Sequence, residues 1–296
     1  RGEEIHAEIV MKGLERDLFV GSSLVDMYAK CGFLETAKQV FNTLPNHDVV
    51  SWNALIAGFT EYGCTEEALN YFLKMQCKGF PPDDFTFSCV LKSCATIGSS
   101  EKSQELHAEI TRKGLERDLI GSTLIGAYSK CGSAAEAQDV FTLLPIRDVI
   151  AWTTLMAGYG LQLGKTENAI HVLDEMIKEG IKPNLVTFVG VLNACSHAGA
   201  VDIGHDCFEV LNLGQYGLMP TLEHYMCMVD LLARSGCLCD AGKLLETLPS
   251  HPSKDMWTSF MSSCKTYEDV QAGKRCFNEL VQQQLQPSKS MYAIYT

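Results

Sequence analysis

Lys12-Gly13-Leu14-Glu15-Arg16-Asp17-Leu18 returns about a hundred residues on as Lys113-Gly114-Leu115-Glu116-Arg117-Asp118-Leu119. The match extends both ways. Upstream, His6-Ala7-Glu8-Ile9 pairs with His107-Ala108-Glu109-Ile110. Downstream, one residue out of step, Gly21-Ser22 pairs with Gly121-Ser122 and Lys30-Cys31-Gly32 with Lys130-Cys131-Gly132. Asp48-Val49 with Trp52 then pairs with Asp148-Val149 and Trp152. Such self-similarity decides the fold, because each repeat is a supersecondary unit that buries its apolar face only against its neighbours.

Shorter units of about 35 residues lie inside the long repeat. Between Val49 and Asp83, the residues Trp52, Leu55, Ile56 and Phe59 fall at helical spacing, and Tyr62-Gly63 breaks the pattern. Ala68, Leu69, Phe72 and Met75 form a second apolar stripe, closed by Gly79 and Pro81-Pro82. Gly180 and Pro183 repeat that ending. Stacked helix pairs of this kind build a superhelix with a long concave surface. The recurring Leu-x-x-Tyr and Gly positions set the expected register. Residues 1–17 are the second helix of a truncated unit. Units follow at 18–48 (short), 49–83 (standard), 84–117 (long), 118–148 (short), 149–184 (standard), 185–221 (long) and 222–252 (short). A divergent unit spans 253–287, and 288–296 is a stub. Relative to its counterparts the chain lacks one residue near Leu119 and gains one near Leu163.

Composition bounds the reading. Hydrophobic residues make up 46% of the 296, a globular proportion. No stretch nears the ~18–20 apolar residues of a membrane span. The start, Arg1-Gly2-Glu3-Glu4-Ile5, has no initiator Met and no apolar signal core, and reads as a cut through something longer. The net charge of −12 argues against a non-specific nucleic-acid binder, while leaving room for a locally basic groove. The thirteen cysteines include the repeat-equivalent Cys31 and Cys131, and Cys94, Cys195 and Cys264. They read as small buried apolar residues, and reduced thiols imply an intracellular or organellar setting.

Catalytic and metal-binding patterns are missing. A zinc deaminase needs His-x-Glu together with Pro-Cys-x-x-Cys. His6-Ala7-Glu8 and His107-Ala108-Glu109 spell the first without the second, at equivalent repeat positions, and read as structural. Cys237-Leu238-Cys239 has the wrong spacing for a zinc knuckle. His224-Tyr225 is a register feature, and Trp52, Trp152 and Trp257 recur at one register, which favours packing. No phosphate-binding glycine loop or nucleophile elbow is present. The expectation is a chain with no enzymatic site, no metal and no cofactor.

Several phased strings resemble one family. They are Leu24-Val25-Asp26-Met27-Tyr28-Ala29-Lys30-Cys31-Gly32, Val50-Ser51-Trp52-Asn53-Ala54-Leu55-Ile56, Val191-Leu192-Asn193-Ala194-Cys195-Ser196-His197-Ala198-Gly199, and His224-Tyr225-Met226-Cys227-Met228-Val229-Asp230-Leu231-Leu232. The chain resembles plant pentatricopeptide repeat proteins of the class that alternates standard, long and short repeats. The resemblance implies an all-α fold, a right-handed superhelical solenoid of tandem helix-turn-helix repeats. The last unit, with Trp257 and Ser263-Cys264, is similar to the extension motif that follows the final repeats of RNA-editing members.

The same resemblance implies sequence-specific binding of single-stranded RNA, one repeat per nucleotide, read by the fifth and last residues of each unit. A fifth residue on the first helix shares a face with the second, ninth and thirteenth. Asn offers both donor and acceptor, Ser and Thr a rotatable hydroxyl, and Asp acceptors alone. Carried onto this chain, Ser22 with Asp48 implies G, Asn53 with Asp83 implies U over C, Ser122 with Asp148 implies G, and Thr153 with Asn184 implies A. Ser88 pairs with Arg117 or Asp118, while Val189 with Thr221 and Met226 with Ser253 fall outside the rule. The expected footprint is 5′-GUNGANN-3′.

The second residues Phe19, Val50, Phe85, Leu119, Ile150 and Val186 are apolar and suited to flank bases, or else to ordinary packing. Lys30, Lys130 and Arg234 at the thirteenth positions suit phosphates, or else act as solvated cations at helix C-termini. By resemblance the chain specifies a C-to-U editing site in a mitochondrion or chloroplast. Its extension motif then recruits a deaminase or other editing factor in trans, unless a deaminase domain follows Thr296 in a longer parent. Two other readings compete, RNA processing or stabilisation by occlusion and a protein-binding solenoid of the tetratricopeptide kind. The polar fifth positions and the Asp or Asn unit ends disfavour the latter.

Overall fold

Apolar side chains three and four residues apart give each helix one buried stripe, and the computed structural model of the chain forms seventeen helices and no strand among its described residues. Those residues are 2–14, 16–115, 118–162, 166–248 and 252–282. A single helix α1 (Gly2–Met11) comes first. Eight helix pairs follow: α2 (Leu18–Lys30) with α3 (Leu34–Thr43), α4 (Val49–Glu61) with α5 (Thr65–Cys77), α6 (Asp84–Ile97) with α7 (Ser100–Lys113), and α8 (Asp118–Lys130) with α9 (Ala134–Leu143). Next are α10 (Val149–Gly160) with α11 (Thr166–Lys178), α12 (Leu185–Ala198) with α13 (Val201–Asn212), α14 (Leu222–Arg234) with α15 (Leu238–Glu246), and α16 (Lys254–Thr266) with α17 (Val270–Gln282).

Two units divide the chain, Arg1–Ile146 and Arg147–Thr296. In the first, α2, α4, α6 and α8 pack in succession, and α3, α5, α7 and α9 each lie against their own first helix. Leu55, Ile56, Phe87, Leu91, Leu124 and Ile125 are almost wholly sequestered between these layers. The second unit repeats the plan with α10, α12, α14 and α16 in succession, around Trp152, Met156, Phe188, Val191 and Leu231. Each such side chain contributes about 1.5–3 kcal/mol by leaving water. Its last two pairs share a cluster that includes Val229, Leu238, Leu245, Trp257, Phe260 and Phe277.

Recurrent contacts explain the recurrent strings. A Cβ built on Gly21 or on Gly121 would collide with the Leu44 or Leu144 side chain that closes the same helix pair. Glycine beside Ser22 and Ser122 leaves room for that leucine, and a larger residue there would make the leucine move. His6 and His107 each hydrogen-bond through Nδ1 to a tyrosine hydroxyl of the next helix, Tyr28 and Tyr128, both at 3.0 Å. Tyr62 donates to the Lys30 carbonyl at 2.8 Å and its ring covers Gly32, and Tyr267 does the same to the Arg234 carbonyl and Gly236. Trp52, Trp152 and Trp257 are buried.

Cys94, Cys195 and Cys264 are buried, and burial pushes their thiols up to about 11, 12 and 11. Cys31 departs from the expected burial. It is exposed because it is the C-cap of α2, where the chain leaves the packed layer, and Cys131 is half-buried at the matching turn. No helix of the described residues is long and apolar enough to cross a membrane.

Candidate nucleic-acid interface

The second residues of the first helices point outward. Phe19, Val50, Phe85, Ile150 and Val186 are between 53% and 82% exposed, although each is large and apolar. An ordinary packing residue would be covered, so these five take no part in either unit's core. Three residues later, one turn along the same face, stand Ser22, Asn53, Ser88 and Thr153, with 5–9% exposure. Ser122 is buried to the same degree. In the first unit the fifth side chains therefore form a polar floor close beside projecting apolar groups, and in the second Thr153 does the same beside Ile150, while Val189 and Met226 are apolar. The side chains of Asp118 and Leu119, and all of Arg117, lie outside the described residues.

The unit ends have a local duty. Asp48, Asp83, Asp148 and Asn184 are the N-caps of α4, α6, α10 and α12, and each side chain accepts the N–H of the third helical residue at 2.8–2.9 Å. At three of them the third residue reciprocates. The hydroxyls of Ser51, Thr86 and Thr187 accept the backbone N–H of Asp48, Asp83 and Asn184, each at 3.1 Å. Ala151 stands at this place after Asp148, and His224 after Thr221. These hydroxyls went unremarked in the sequence, although Asp-x-x-Ser, Asp-x-x-Thr and Asn-x-x-Thr are capping-box spellings. Ser253 caps α16 in the same way.

Asn53 and Ser22 meet their unit ends. The Asn53 amide donates to Asp83 Oδ1 at 3.0 Å and Oδ2 at 3.1 Å, and the Ser22 hydroxyl donates to Asp48 Oδ1 at 3.5 Å. Burial pushes the Asp83 carboxyl up, but hydrogen bonds from Thr86, Asn53 and the Phe85 backbone outweigh it and hold the group below its usual range. Asp83 is therefore ionised at neutral pH. Thr153 instead donates to the Ile150 carbonyl at 3.0 Å, and no bond joins it to Asn184 among the described contacts. The Ser88 hydroxyl is buried without a hydrogen-bond partner. Val189 is half-buried and Met226 exposed.

The thirteenth positions differ from one another. Lys30 is held by Asp26 at 2.7 Å and Arg234 by Asp230 at 2.8 Å, each one helical turn back. Gly126 occupies that place before Lys130, which is exposed and has no ion pair among the described residues. Asp230 also accepts from Ser196 at 2.6 Å and Ser259 at 2.7 Å. Next to it, a groove of about 500 Å³ is lined by Arg234, Asp255, Ser259, Ser262, Thr266 and Tyr267. Asp255 is the second residue of α16 and Glu223 that of α14, whereas the six earlier first helices carry an apolar residue there, so the series of apolar second residues ends at Val186. On α13, ligand atoms of His205, Asp206 and Glu209 lie within 4.8 Å of one another, but all three residues are exposed on one helix turn, with no further ligand group among the described residues.

Residues 47–96 and 147–197 match the PPR repeat family, and residues 22–49 and 122–147 match the PPR repeat. These matches together take in about half of the chain, in the same alternation as the helix pairs.

The chain belongs to the pentatricopeptide repeat family.

Relatives of this pentatricopeptide repeat chain come from Arabidopsis thaliana. One putative pentatricopeptide repeat-containing protein is 35% identical over 95% of this chain and 38% of its own length. The chloroplastic protein CRR2 is 37% identical over 95% of the chain and 43% of its own length, and a putative mitochondrial pentatricopeptide repeat-containing protein is 33% identical over 95% and 45%. The chain thus spans less than half the length of these relatives. The fold is that of the solved maize pentatricopeptide repeat protein PPR10, an all-helical repeat solenoid. Its crystal structure in complex with an 18-nt psaJ RNA element aligns with a TM-score of 0.82 and 18% identity, over 99% of this chain and 44% of that one.

Proposed function

We propose that this pentatricopeptide repeat chain binds single-stranded RNA, with one repeat facing one nucleotide. The observation that carries the reading is the pairing of an exposed apolar second residue with a nearly buried polar fifth residue, recurring at Phe19/Ser22, Val50/Asn53, Phe85/Ser88 and Ile150/Thr153. Exposed apolar groups beside hydrogen-bonding groups suit bases that are flanked on their faces and read on their edges. A peptide groove has no need of that alternation. The bound RNA of PPR10, on a similar fold, supports the same reading.

On this reading Ser22 with Asp48, Asn53 with Asp83, Ser122 with Asp148, and Thr153 with Asn184 specify 5′-GUNGANN-3′. The repeats carry the units 18–48 through 222–252, and the pair at 253–287 is the extension motif. The finer assignment is selection of an organellar C-to-U editing site, with the extension motif engaging a deaminase in trans. Relatives named chloroplastic and mitochondrial support an organellar setting. Occlusion of RNA ends uses the same contacts.

Selection of bound RNA from a random pool tests the proposal, followed by Asn53→Thr. The expected result is recovery of the footprint and loss of the pyrimidine preference at one nucleotide. Equal affinity for the footprint and its scramble refutes RNA reading, and a uniform affinity drop in Asn53→Thr refutes modularity.

A further inference from the structure

We infer that Thr86, the third residue of α6, is a positioning residue for base reading by Asn53: its hydroxyl holds the Asn53 carbonyl and so fixes the turn of the amide, biasing the base contact toward its N–H. The inference rests on the RNA reading above and adds a third position to it.

The geometry fixes the orientation of the amide. Asp83 is ionised and accepts only, so the Asn53 atom 3.0–3.1 Å from its two oxygens must be the NH₂. Asn53 Oδ1 then faces the Thr86 hydroxyl at 2.6 Å. That hydroxyl accepts the Asp83 N–H at 3.1 Å and has one proton to give, with Asp83 Oδ1 at 2.8 Å as the competing acceptor. Asp83 already has donors in the Thr86 N–H, the Phe85 N–H and the Asn53 amide, whereas Thr86 is the donor that Asn53 Oδ1 has. The shorter of the two contacts, 2.6 Å against 2.8 Å, directs the proton mainly to Asn53. Thr86 is fully buried and Asn53 nearly so, which removes water as a substitute partner.

Among the described residues no other third-position side chain does this. Ser51 donates to the Asp48 carbonyl at 2.9 Å and Thr187 to Asn184 Oδ1 at 3.0 Å, and neither bonds the fifth residue of its slot. With its carbonyl engaged, Asn53 has its second N–H to offer. Uracil presents an acceptor, O4, where cytosine presents a donor, N4–H₂, so an amide held with its N–H toward the base favours U over C. A freed carbonyl removes that distinction.

The test uses the whole chain in three variants: Thr86→Val, Thr86→Ser and Thr187→Val. Affinities are measured for RNAs carrying U or C at the Asn53 nucleotide. Thr86→Val is expected to shrink the U-over-C ratio about 3- to 10-fold, the factor one hydrogen bond carries. The preference at the Ser22 nucleotide stays unchanged. Thr86→Ser retains the ratio. Thr187→Val loses an equivalent capping hydroxyl and melts earlier to a similar degree, yet leaves the ratio alone. An unchanged ratio in Thr86→Val, or an equal shift in Thr187→Val, overturns the inference.

A second measurement needs no RNA. The Asn53 side-chain amide proton bonded to Asp83 is expected to exchange with solvent slowly in the original chain and in Thr86→Ser, and about tenfold faster in Thr86→Val. Unchanged exchange overturns the positioning role whatever the RNA result. Failure of all chains to prefer the footprint over its scramble, with exchange shifted as expected, refutes RNA reading and leaves the amide geometry standing.

Discussion

The Asn53 amide reaches thirty residues along the chain to donate to both oxygens of Asp83, the residue that caps the next first helix. One carboxylate thereby serves helix initiation and holds the polar group of the preceding repeat. Its lowered pKa ties both contacts to pH. A carboxyl depressed in the folded state adds stability above its unfolded pKa of about 3.9 and loses it as pH falls through the folded value. Asp83→Asn keeps a competent cap but removes the charge. We expect it to lower the unfolding midpoint at pH 7, by about 0.5 kcal/mol for so exposed a group, and to match the original chain below pH ~3. Thermal melts at pH 7, 5 and 3 check this, and a gap that does not close with acid counts against it.

Tyr62→Phe removes the hydroxyl that satisfies the Lys30 carbonyl and keeps the ring over Gly32. The bond lies at an exposed helix end, so the expected loss is about 0.5–1 kcal/mol, with RNA affinity unchanged at temperatures where the chain is folded. Denaturant titration with a parallel binding measurement checks both parts.

His224 is buried and neutral, donating from Nε2 to the Leu185 carbonyl at 3.0 Å and accepting the Thr221 N–H on Nδ1 at 3.2 Å. Burial holds its pKa below the ordinary imidazole value. The unfolded chain takes up a proton near pH ~6.5 where the folded chain resists it, so stability is full above that pH and declines as pH falls toward the folded pKa. The expected result is an unfolding midpoint that drops between pH 7 and 5 in the original chain and drops less in His224→Gln. Parallel pH slopes in the two chains would falsify this assignment.

Salt dependence separates the three thirteenth-position cations. Each phosphate neutralised on a single strand adds about 0.7 to the slope of log affinity against log salt. Lys130 has no ion pair among the described residues, whereas Lys30 and Arg234 are engaged by Asp26 and Asp230. Lys130→Ala is therefore expected to flatten the slope by about 0.7 and Lys30→Ala by less. Binding isotherms across a salt series measure it, and identical slopes for the two variants would remove Lys130 from the phosphate path.

Gly21-Ser22 and Gly121-Ser122 illustrate how far the chain's letters carry. Their recurrence is visible as text, but the reason for the glycine is the Leu44 or Leu144 side chain pressed against it, which no periodicity reveals. Cys31 shows the converse, since its repeat-equivalence with Cys131 suggested burial and its place at a helix end exposes it. Asp48, Asp83 and Asn184 stood out as unit ends, while the hydroxyl partners three residues later passed as ordinary helix residues.

The order of helices in this protein was written in its sequence alone, because spacing of three and four, Asp or Asn at helix starts and Gly at helix ends act through nearest neighbours along the chain. Exposure of Phe19, Val50 and Phe85, the grip of Asp83 on Asn53, and the approach of Thr86 to the same amide were decided by tertiary structure. These contacts join residues thirty and thirty-three positions apart, and stacking one helix pair on the next is what brings such distant atoms within hydrogen-bond reach.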